Sequence, residues 1–479
     1  MLVAVTNLNL LAKKGFIWSA IERFGVQFFQ ISINIILARL LTPTDFGIVG
    51  MLGIFISLSQ SFAQSGMAYG LIQKKNRNEI DYSTVFVFNL VVSICLYGIL
   101  FLCAPWVAAF YEREELTFLT RVLAIVIVIS SAGLVQNVIM RINIDFKKIA
   151  KINIISVLVS GIISVSLAYA GIGLWAIIIQ ILLNSFITVI LSWFYSSWRP
   201  LPIFSMQSFR ELFGFGYKLL LSSILATTMD NIYKIFIGKL FAPAQLGYYT
   251  QAKQYSDSSS GTLTSIVQSV SFPLLAKLQN DPATFLTVFR RILFYSSLLI
   301  FPVMSLLAIS AEPLFRVILT EKWLPAVPFF QILCFARIMY PLSALNMNSL
   351  IALGRSDLFL RLDLMKFVVA IVFLLIALNF ELYWIVFSSV ISSSLFFIID
   401  CFYTKQLTGY GLFKQIRDIY KIFLSCIIMM IVLLSAEFFF NFGEYILFFN
   451  FIIGPAVFIL ASYLMRLNLF QELKLALKK

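Results

Sequence analysis

The sequence predicts an all-α, polytopic membrane protein with about fourteen transmembrane helices. Of its 479 residues, 61% are hydrophobic and only 12% are charged, and the mean hydropathy is +0.95. A soluble domain carries about 25% charged residues, so a water-soluble fold of this length could not cover so much apolar surface. The lipid bilayer is the solvent that this composition fits.

Individual helices follow from apolar runs long enough to cross about 30 Å of hydrocarbon. Six runs precede residue 200 and eight follow it. The runs lie near residues 15–39, 46–66, 84–110, 117–138, 151–171, 173–195, 214–240, 247–273, 290–310, 326–350, 364–380, 383–404, 418–437 and 444–466.

The charges between these runs predict the orientation, because short cytoplasmic loops collect Lys and Arg. If the N-terminus is cytoplasmic, the cytoplasmic connections and tails carry 26 Lys and Arg against 9 Asp and Glu. The opposite face carries 6 basic residues against 9 acidic ones. We therefore expect both termini in the cytoplasm. The cytoplasmic connections are 67–83, 139–151, 196–218, 274–291, 351–366 and 405–421.

The residue types argue against catalysis and against a metal site. The sequence has no histidine, which removes the usual general base and the imidazole ligand. Its five cysteines are scattered singly and form no CxxC motif, so neither a zinc site nor a disulfide framework is indicated. We expect no catalytic residues, no metal and no cofactor. Because topology accounts for the positive net charge, we also expect no nucleic-acid partner.

An internal repeat organises the chain at an offset of 200 residues. Residues 39–48 and 239–248 align without a gap and share Leu, Pro and Gly at equivalent positions. In each copy, proline ends one helix and glycine lets the chain reverse into the next. Six spans separate the copies, so the sequence predicts a parallel repeat of two six-helix lobes. The predicted units are 1–200, 201–410, and 411–479 with two additional transmembrane helices and a cytoplasmic tail.

Polar side chains enter the predicted spans along particular helix faces. Such residues are costly in hydrocarbon and face a cavity or another helix. In the first lobe they are Glu22, Arg23, Gln27, Gln30, Gln60 and Gln64; in the second they are Asp230, Lys234, Tyr249, Lys253, Asp257 and Arg337.

Two interpretations of these faces stay open. In one, they make interhelical hydrogen bonds and neutral ion pairs that hold the bundle together. In the other, they line a water-filled chamber between spans 1–2 and 7–8 that binds a polar, anionic substrate. The bases Arg23, Lys253 and Arg337 favour the chamber, whereas Asp230 and Lys234 are four residues apart and can pair with each other.

Several short motifs, taken in order, resemble a known family. None is specific alone, but their order and spacing from residue 15 to about 410 are similar to those of the Wzx-like polysaccharide flippases, in the colanic-acid and teichuronic-acid exporter branch. This group shares a superfamily with multidrug/toxin extruders and lipid II flippases. The motifs lie at residues 37–47, 171–176, 230–239, 246–252, 272–276, 321–328 and 352–357.

The resemblance implies a flippase of the bacterial inner membrane for lipopolysaccharide, exopolysaccharide or capsule biosynthesis. Its substrate would be an undecaprenyl-diphosphate-linked oligosaccharide, moved from the cytoplasmic to the periplasmic leaflet by alternating access. The expected partners are this lipid, the bilayer and the polysaccharide polymerase and export machinery.

Candidate roles follow from the chemistry of such a substrate. Arginine binds a diphosphate through paired donors, so we assign the head group to Arg23, Lys253 and Arg337, with Lys234 as a weaker candidate. The amides of Gln27, Gln30, Gln60 and Gln64 and the hydroxyl of Tyr249 would bind diphosphate or sugar. Glu22, Asp230 and Asp257 would balance charge or couple transport to an ion.

Two other functions stay open at this point. One is an ion-coupled extruder of small cationic drugs, since the buried acids and bases balance. The other is a membrane-bound polysaccharide polymerase or acyltransferase. Such enzymes usually have a long outside loop, whereas the longest outside connection here runs only from about 311 to 325.

Overall fold

The computed structural model describes residues 2–64, 66–439, 443–465 and 467. All regular elements within these ranges are helical, which confirms the predicted all-α class. Two short 3-10 segments, Glu321–Ala326 and Gly443–Tyr445, accompany nineteen α-helices. The helices are α1 Leu2–Leu40, α2 Pro43–Gln64, α3 Met67–Gln73, α4 Glu79–Tyr111, α5 Glu115–Leu123, α6 Ile125–Ser131, α7 Leu134–Ile142, α8 Phe146–Tyr169, α9 Trp175–Tyr195, α10 Met206–Leu240, α11 Pro243–Lys277, α12 Pro282–Ile309, α13 Ala311–Ile318, α14 Val327–Ile338, α15 Tyr340–Ala352, α16 Ser356–Ala377, α17 Leu382–Thr408, α18 Leu412–Phe439 and α19 Ile446–Leu464.

Polar capping groups define several helix ends. Before α4, the Asp81 amide donates to Asn78 Oδ1 at 2.9 Å and the Asn78 amide donates to Asp81 Oδ2 at 3.1 Å. This reciprocal capping box satisfies two amides that have no partner within the helix. At the start of α12, Asp281 caps the helix through a single hydrogen bond, which its side chain accepts from the Thr284 amide at 3.2 Å.

Ten helical stretches in the described part of the chain are long and apolar enough to cross a membrane, or eleven if the bent α10 counts as one span. This supports a polytopic membrane protein but does not confirm the count of fourteen. Helices α1, α11 and α16 fill the remaining predicted positions. α11 carries a long run of hydroxyl side chains, so hydropathy alone does not identify it as a span.

Two of the predicted spans are broken rather than continuous. The run 117–138 becomes α5, α6 and α7, with breaks at Ala124 and at Ala132 and Gly133. The run 326–350 becomes α14 and α15, where Pro341 stands in the first turn of the second helix. A proline there cannot donate to the preceding turn, which accounts for the break. Broken membrane helices direct backbone and polar side chains into the protein interior.

The chain forms two compact units, Met1–Gly247 and Tyr248–Lys479. In the first unit, α8 packs between α1 and α9, while α2 packs against α10 and α4. In the second, α17 packs against α14, α15 and α16, and α12 packs against α14 and α18, with α19 beside α18. The lobes predicted from the repeat, 1–200 and 201–410, and the terminal segment 411–479 stay a prediction.

Candidate functional site

The two repeated Pro-Gly turns meet where α2 begins and α10 ends. A Cβ atom on Gly47 would lie 1.8 Å from the Pro243 carbonyl oxygen, and one on Gly247 would lie 1.9 Å from the Pro43 carbonyl oxygen. The contact is reciprocal, so each glycine makes room for the backbone of the other turn. Because any side chain would prevent this approach, the spacing of Pro and Gly that the two turns share has a structural reason.

Polar contacts continue the packing of α2 against α10 toward the other end of the membrane. Ser61 Oγ and Thr227 Oγ1 lie 2.9 Å apart, and Asn231 Nδ2 lies 3.5 Å from Ser57 Oγ. At the opposite end of this contact, a Cβ atom on Gly66 would lie 2.1 Å from the Gly216 carbonyl oxygen. Gly66 also has a φ of 67°, which favours glycine. We call this full-length contact the α2–α10 seam.

The predicted first-lobe residues have different surroundings. Arg23 and Gln30 are exposed on α1, and Gln27 is half-buried. Glu22 accepts a hydrogen bond from Asn153 Nδ2 on α8 at 2.6 Å, so it joins two helices of this unit. The functional assignments of these four residues stay predictions.

The remaining predicted residues of the first unit lie around the seam. Gln60 lines a cavity of about 560 Å³ inside the unit, whereas the side chain of Gln64 lies outside the described residues. Lys234 Nζ donates to Asn231 Oδ1 at 3.1 Å, which ties it to the residue beside Ser57. Asp230 is exposed, and its predicted pairing with Lys234 stays a prediction.

In the second unit, the structure brings three of the predicted residues into one charged cluster. Asp257 accepts from Lys253 Nζ through one carboxylate oxygen and from Arg337 Nε through the other. The Arg337 guanidinium also lies 5.7 Å from the ring centre of Tyr340. Two cations share one carboxylate, so the cluster keeps one net positive charge. By contrast, Tyr249 is 2% exposed, a position in the packed core.

A second charged group of this unit was not among the predicted site residues. Lys366 Nζ donates to Asp400 Oδ2 at 2.7 Å, and Ser343 Oγ donates to the same carboxylate. Asp400 is fully buried and Lys366 is 7% exposed. The sequence places Lys366 at the edge of the connection 351–366, whereas the structure buries it inside α16. Lys366 lies opposite Asp400 because of the way α16 packs against α17. The composition of the sequence does not predict this pairing.

The connection between α9 and α10 is fastened to the start of α4. Trp198 Nε1 donates to Glu79 Oε2 at 2.6 Å, and the Leu201 amide donates to Ser83 Oγ at 3.1 Å. Nearby, Lys74 Nζ lies 2.9 Å from Asp81 and 3.0 Å from Glu211. Burial lowers the pKa of Lys74, but its bonds to the two carboxylates outweigh burial and raise the pKa above 10.5. Lys74 is therefore a permanent cation that joins α3, α4 and α10.

Comparison with known proteins identifies the family. The sequence pattern of the family described as "Polysaccharide biosynthesis protein" matches residues 36–328. The chain is 28% identical to the teichuronic acid biosynthesis protein TuaB of Bacillus subtilis (strain 168) over 344 residues, 71% of each chain. It is 23% identical to the lipopolysaccharide biosynthesis protein WzxC of Escherichia coli (strain K12) over 354 residues, 73% of this chain and 71% of that one.

Solved structures show the same fold at low sequence identity. The lipid II flippase MurJ in an inward closed conformation matches with a TM-score of 0.75 and 14% identity, covering 95% of this chain and 99% of that chain. An inward-facing multidrug resistance transporter of the MATE family matches with a TM-score of 0.59 and 16% identity, covering 82% and 100%. These matches confirm the predicted polytopic fold. The family match over residues 36–328, more than half of the chain, establishes that this chain belongs to the polysaccharide biosynthesis protein family.

Proposed function

We propose that this protein moves undecaprenyl-diphosphate-linked oligosaccharide units from the cytoplasmic to the periplasmic leaflet of the bacterial inner membrane. The named relatives act in teichuronic acid and lipopolysaccharide biosynthesis, and the structure with the higher TM-score is a flippase of lipid II. The protein is a transporter and not an enzyme. It moves the lipid-linked oligosaccharide by alternating access and so provides the units from which lipopolysaccharide, exopolysaccharide or capsule is assembled.

The observation that carries the proposal is the cluster of Lys253, Asp257 and Arg337. A charge within a membrane helix is costly and marks a functional site by default. Here one carboxylate holds two cations in place, and the three groups together carry one net positive charge, which suits an anionic diphosphate. Arginine offers paired donors to phosphate oxygens. Arg23, exposed on α1, and Lys234, on α10, are the further cations that we assign to the head group.

Both termini lie in the cytoplasm in this proposal. The substrate is then taken up at the face where Lys and Arg collect, and it leaves at the face where the repeated turns lie. Glu22, Asp230 and Asp257 balance the charge of the cations or couple transport to an ion. The polysaccharide polymerase and export machinery are the proposed partners at the periplasmic face.

The test is transport by the purified protein in vesicles. The gene is deleted, the lipid-linked oligosaccharide that accumulates in the cytoplasmic leaflet is identified, and its movement across vesicle membranes is measured with and without the protein. We expect movement of the intact lipid only when the protein is present. Export of small cationic dyes without movement of the lipid would instead support the drug extruder, and a chemically altered lipid would support the enzyme.

The residue assignment has its own test in the same vesicles. Neutralising Arg23, Lys253 and Arg337 together should abolish movement of the lipid while the protein still folds. Transport that continues unchanged in this triple variant would contradict the assignment of the head group to these cations.

A further inference from the structure

A cavity of about 560 Å³ lies within the first unit, among α2, α3, α6, α7 and α9. Its volume falls in the range of small-molecule sites, about 300–1,000 Å³, and far exceeds the roughly 30 Å³ that one water occupies. Gln60 is the one residue of the predicted site in the described lining. The cavity extends to Tyr69 on α3 and to Arg141 at the end of α7, and both of these residues are exposed.

The lining consists of neutral polar groups on an apolar background. Asn184, Thr188 and Ser192 recur at steps of four on α9, so they share one helix face. Ser130 and Asn137 line the cavity from the broken span formed by α6 and α7. The described lining contains no Asp or Glu, and Arg141 is its single charged residue. Hydroxyls and amides that both donate and accept hydrogen bonds suit a ligand rich in hydroxyl groups.

Hydrogen bonds within the lining hold several of these groups in place. Ser130 Oγ and Ser185 Oγ lie 2.7 Å apart, and Arg141 Nε donates to Asn137 Oδ1 at 2.9 Å. The Ser192 hydroxyl has no partner among the described residues, but the protein covers its oxygen, so a ligand in the cavity does not reach it.

We propose that this cavity is a saccharide-binding site that takes a sugar residue of the head group and prefers an acidic sugar. The neutral donors and acceptors match sugar hydroxyls, and Tyr69 at the opening offers an aromatic face to sugar C–H groups. Arg141 attracts a carboxylate and disfavours an amino sugar. The role in transport rests on the proposed function, because the cavity opens next to the predicted cytoplasmic connections where the substrate is taken up. Saccharide binding itself does not depend on it.

The test measures binding of soluble disaccharides to the full-length protein in nanodiscs by calorimetry. The probes are glucuronyl-glucose, a glucose disaccharide and a glucosamine disaccharide. We expect the acidic probe to bind most tightly and the amino sugar most weakly. Asn184→Leu combined with Thr188→Val should weaken binding of the acidic and neutral probes by about tenfold or more. Arg141→Gln should remove only the preference for the acidic probe.

Two control variants distinguish the cavity from the rest of the surface. Ile190→Leu changes an exposed position of α9, and Lys148→Gln removes a half-buried base that bonds to Asp145. Both should bind the probes as the unmodified protein does. Binding is compared only among variants whose unfolding temperature equals that of the unmodified protein. Absence of binding for every probe, or unchanged binding in the Asn184 and Thr188 variant, would overturn the proposal.

Vesicle transport, measured in parallel, separates this proposal from the proposed function. If the unmodified protein moves the lipid-linked oligosaccharide but binds none of the disaccharides, the saccharide site is wrong and the flippase stands. If the disaccharides bind as expected and no lipid moves, the saccharide site stands and the flippase is wrong.

Discussion

At the scale of single residues, Asp257 controls how much positive charge the cluster in the second unit offers. Replacing it by Asn leaves Lys253 and Arg337 without their shared carboxylate. We expect Asp257→Asn to bind inorganic pyrophosphate about tenfold more tightly, because the local charge rises from one to two. The same change should slow transport, since a head group held more firmly is released more slowly. Calorimetry with pyrophosphate and the vesicle assay measure the two effects.

The matched control for this change is Asp230→Asn. Asp230 is an exposed carboxylate on α10, so its loss removes one charge from another place in the bundle. It should leave pyrophosphate binding near the original value. Equal effects of the two substitutions would show that pyrophosphate responds to overall charge and not to the cluster.

The buried pair of Lys366 and Asp400 leads to a prediction about stability. Removing one partner leaves an uncompensated buried charge, which costs about 3–5 kcal/mol. We therefore expect Lys366→Met and Asp400→Leu, each alone, to lower the unfolding temperature strongly. The double variant should recover most of the loss, because two apolar side chains of similar size can replace a buried ion pair. A double variant less stable than both single variants would contradict this account.

At the scale of helices, the α2–α10 seam depends on glycine where the repeated turns meet. Gly47→Ala would place a methyl group 1.8 Å from the Pro243 carbonyl oxygen, so the turns must separate. We expect a loss of about 1–3 kcal/mol or more from overpacking, visible as a lower unfolding temperature. Gly247→Ala should behave alike, because its Cβ would lie 1.9 Å from the Pro43 carbonyl oxygen.

Gly53 provides the comparison within the same helix. A Cβ atom at Gly53 would meet nothing within 4 Å. Gly53→Ala should therefore be neutral or should stabilise α2 by about 1 kcal/mol through helix propensity. If Gly47→Ala and Gly53→Ala shifted the unfolding temperature equally, close packing of the turns would not explain the repeated glycines.

At the scale of the whole molecule, the orientation can be tested by labelling single cysteines in a variant without the five native ones. Lys75, Glu114 and Lys405 are exposed and lie in or next to connections assigned to opposite faces. We expect a membrane-impermeant maleimide to label Glu114→Cys in intact cells. Lys75→Cys and Lys405→Cys should react only after permeabilisation. Labelling of Lys75→Cys in intact cells would contradict the predicted orientation and indicate the opposite one.

The sequence predicted the helices of the fold better than it predicted the side-chain contacts of the site. Ten helical stretches of the described chain, or eleven with the bent α10, are long and apolar enough to span a membrane, so the apolar runs predicted most of the spans but did not settle the count of fourteen. Breaks inside the runs at 117–138 and 326–350 were not predicted, because mean hydropathy does not respond to a local break in hydrogen bonding. Lys253 and Asp257 were predictable as neighbours on one helix face. Their contact with Arg337, 80 residues from Asp257, was not.

The sequence by itself determined that this protein is helical, crosses the membrane many times and carries duplicated turns. A segment in hydrocarbon must satisfy its own backbone hydrogen bonds, so composition along the chain suffices to predict helices. Only the tertiary structure decided that the duplicated turns pack against each other, that Lys366 is buried on Asp400 and that Asn137, Asn184 and Ser192 line one cavity. These contacts depend on the rotation and packing of helices far apart in the chain, which local hydropathy does not encode.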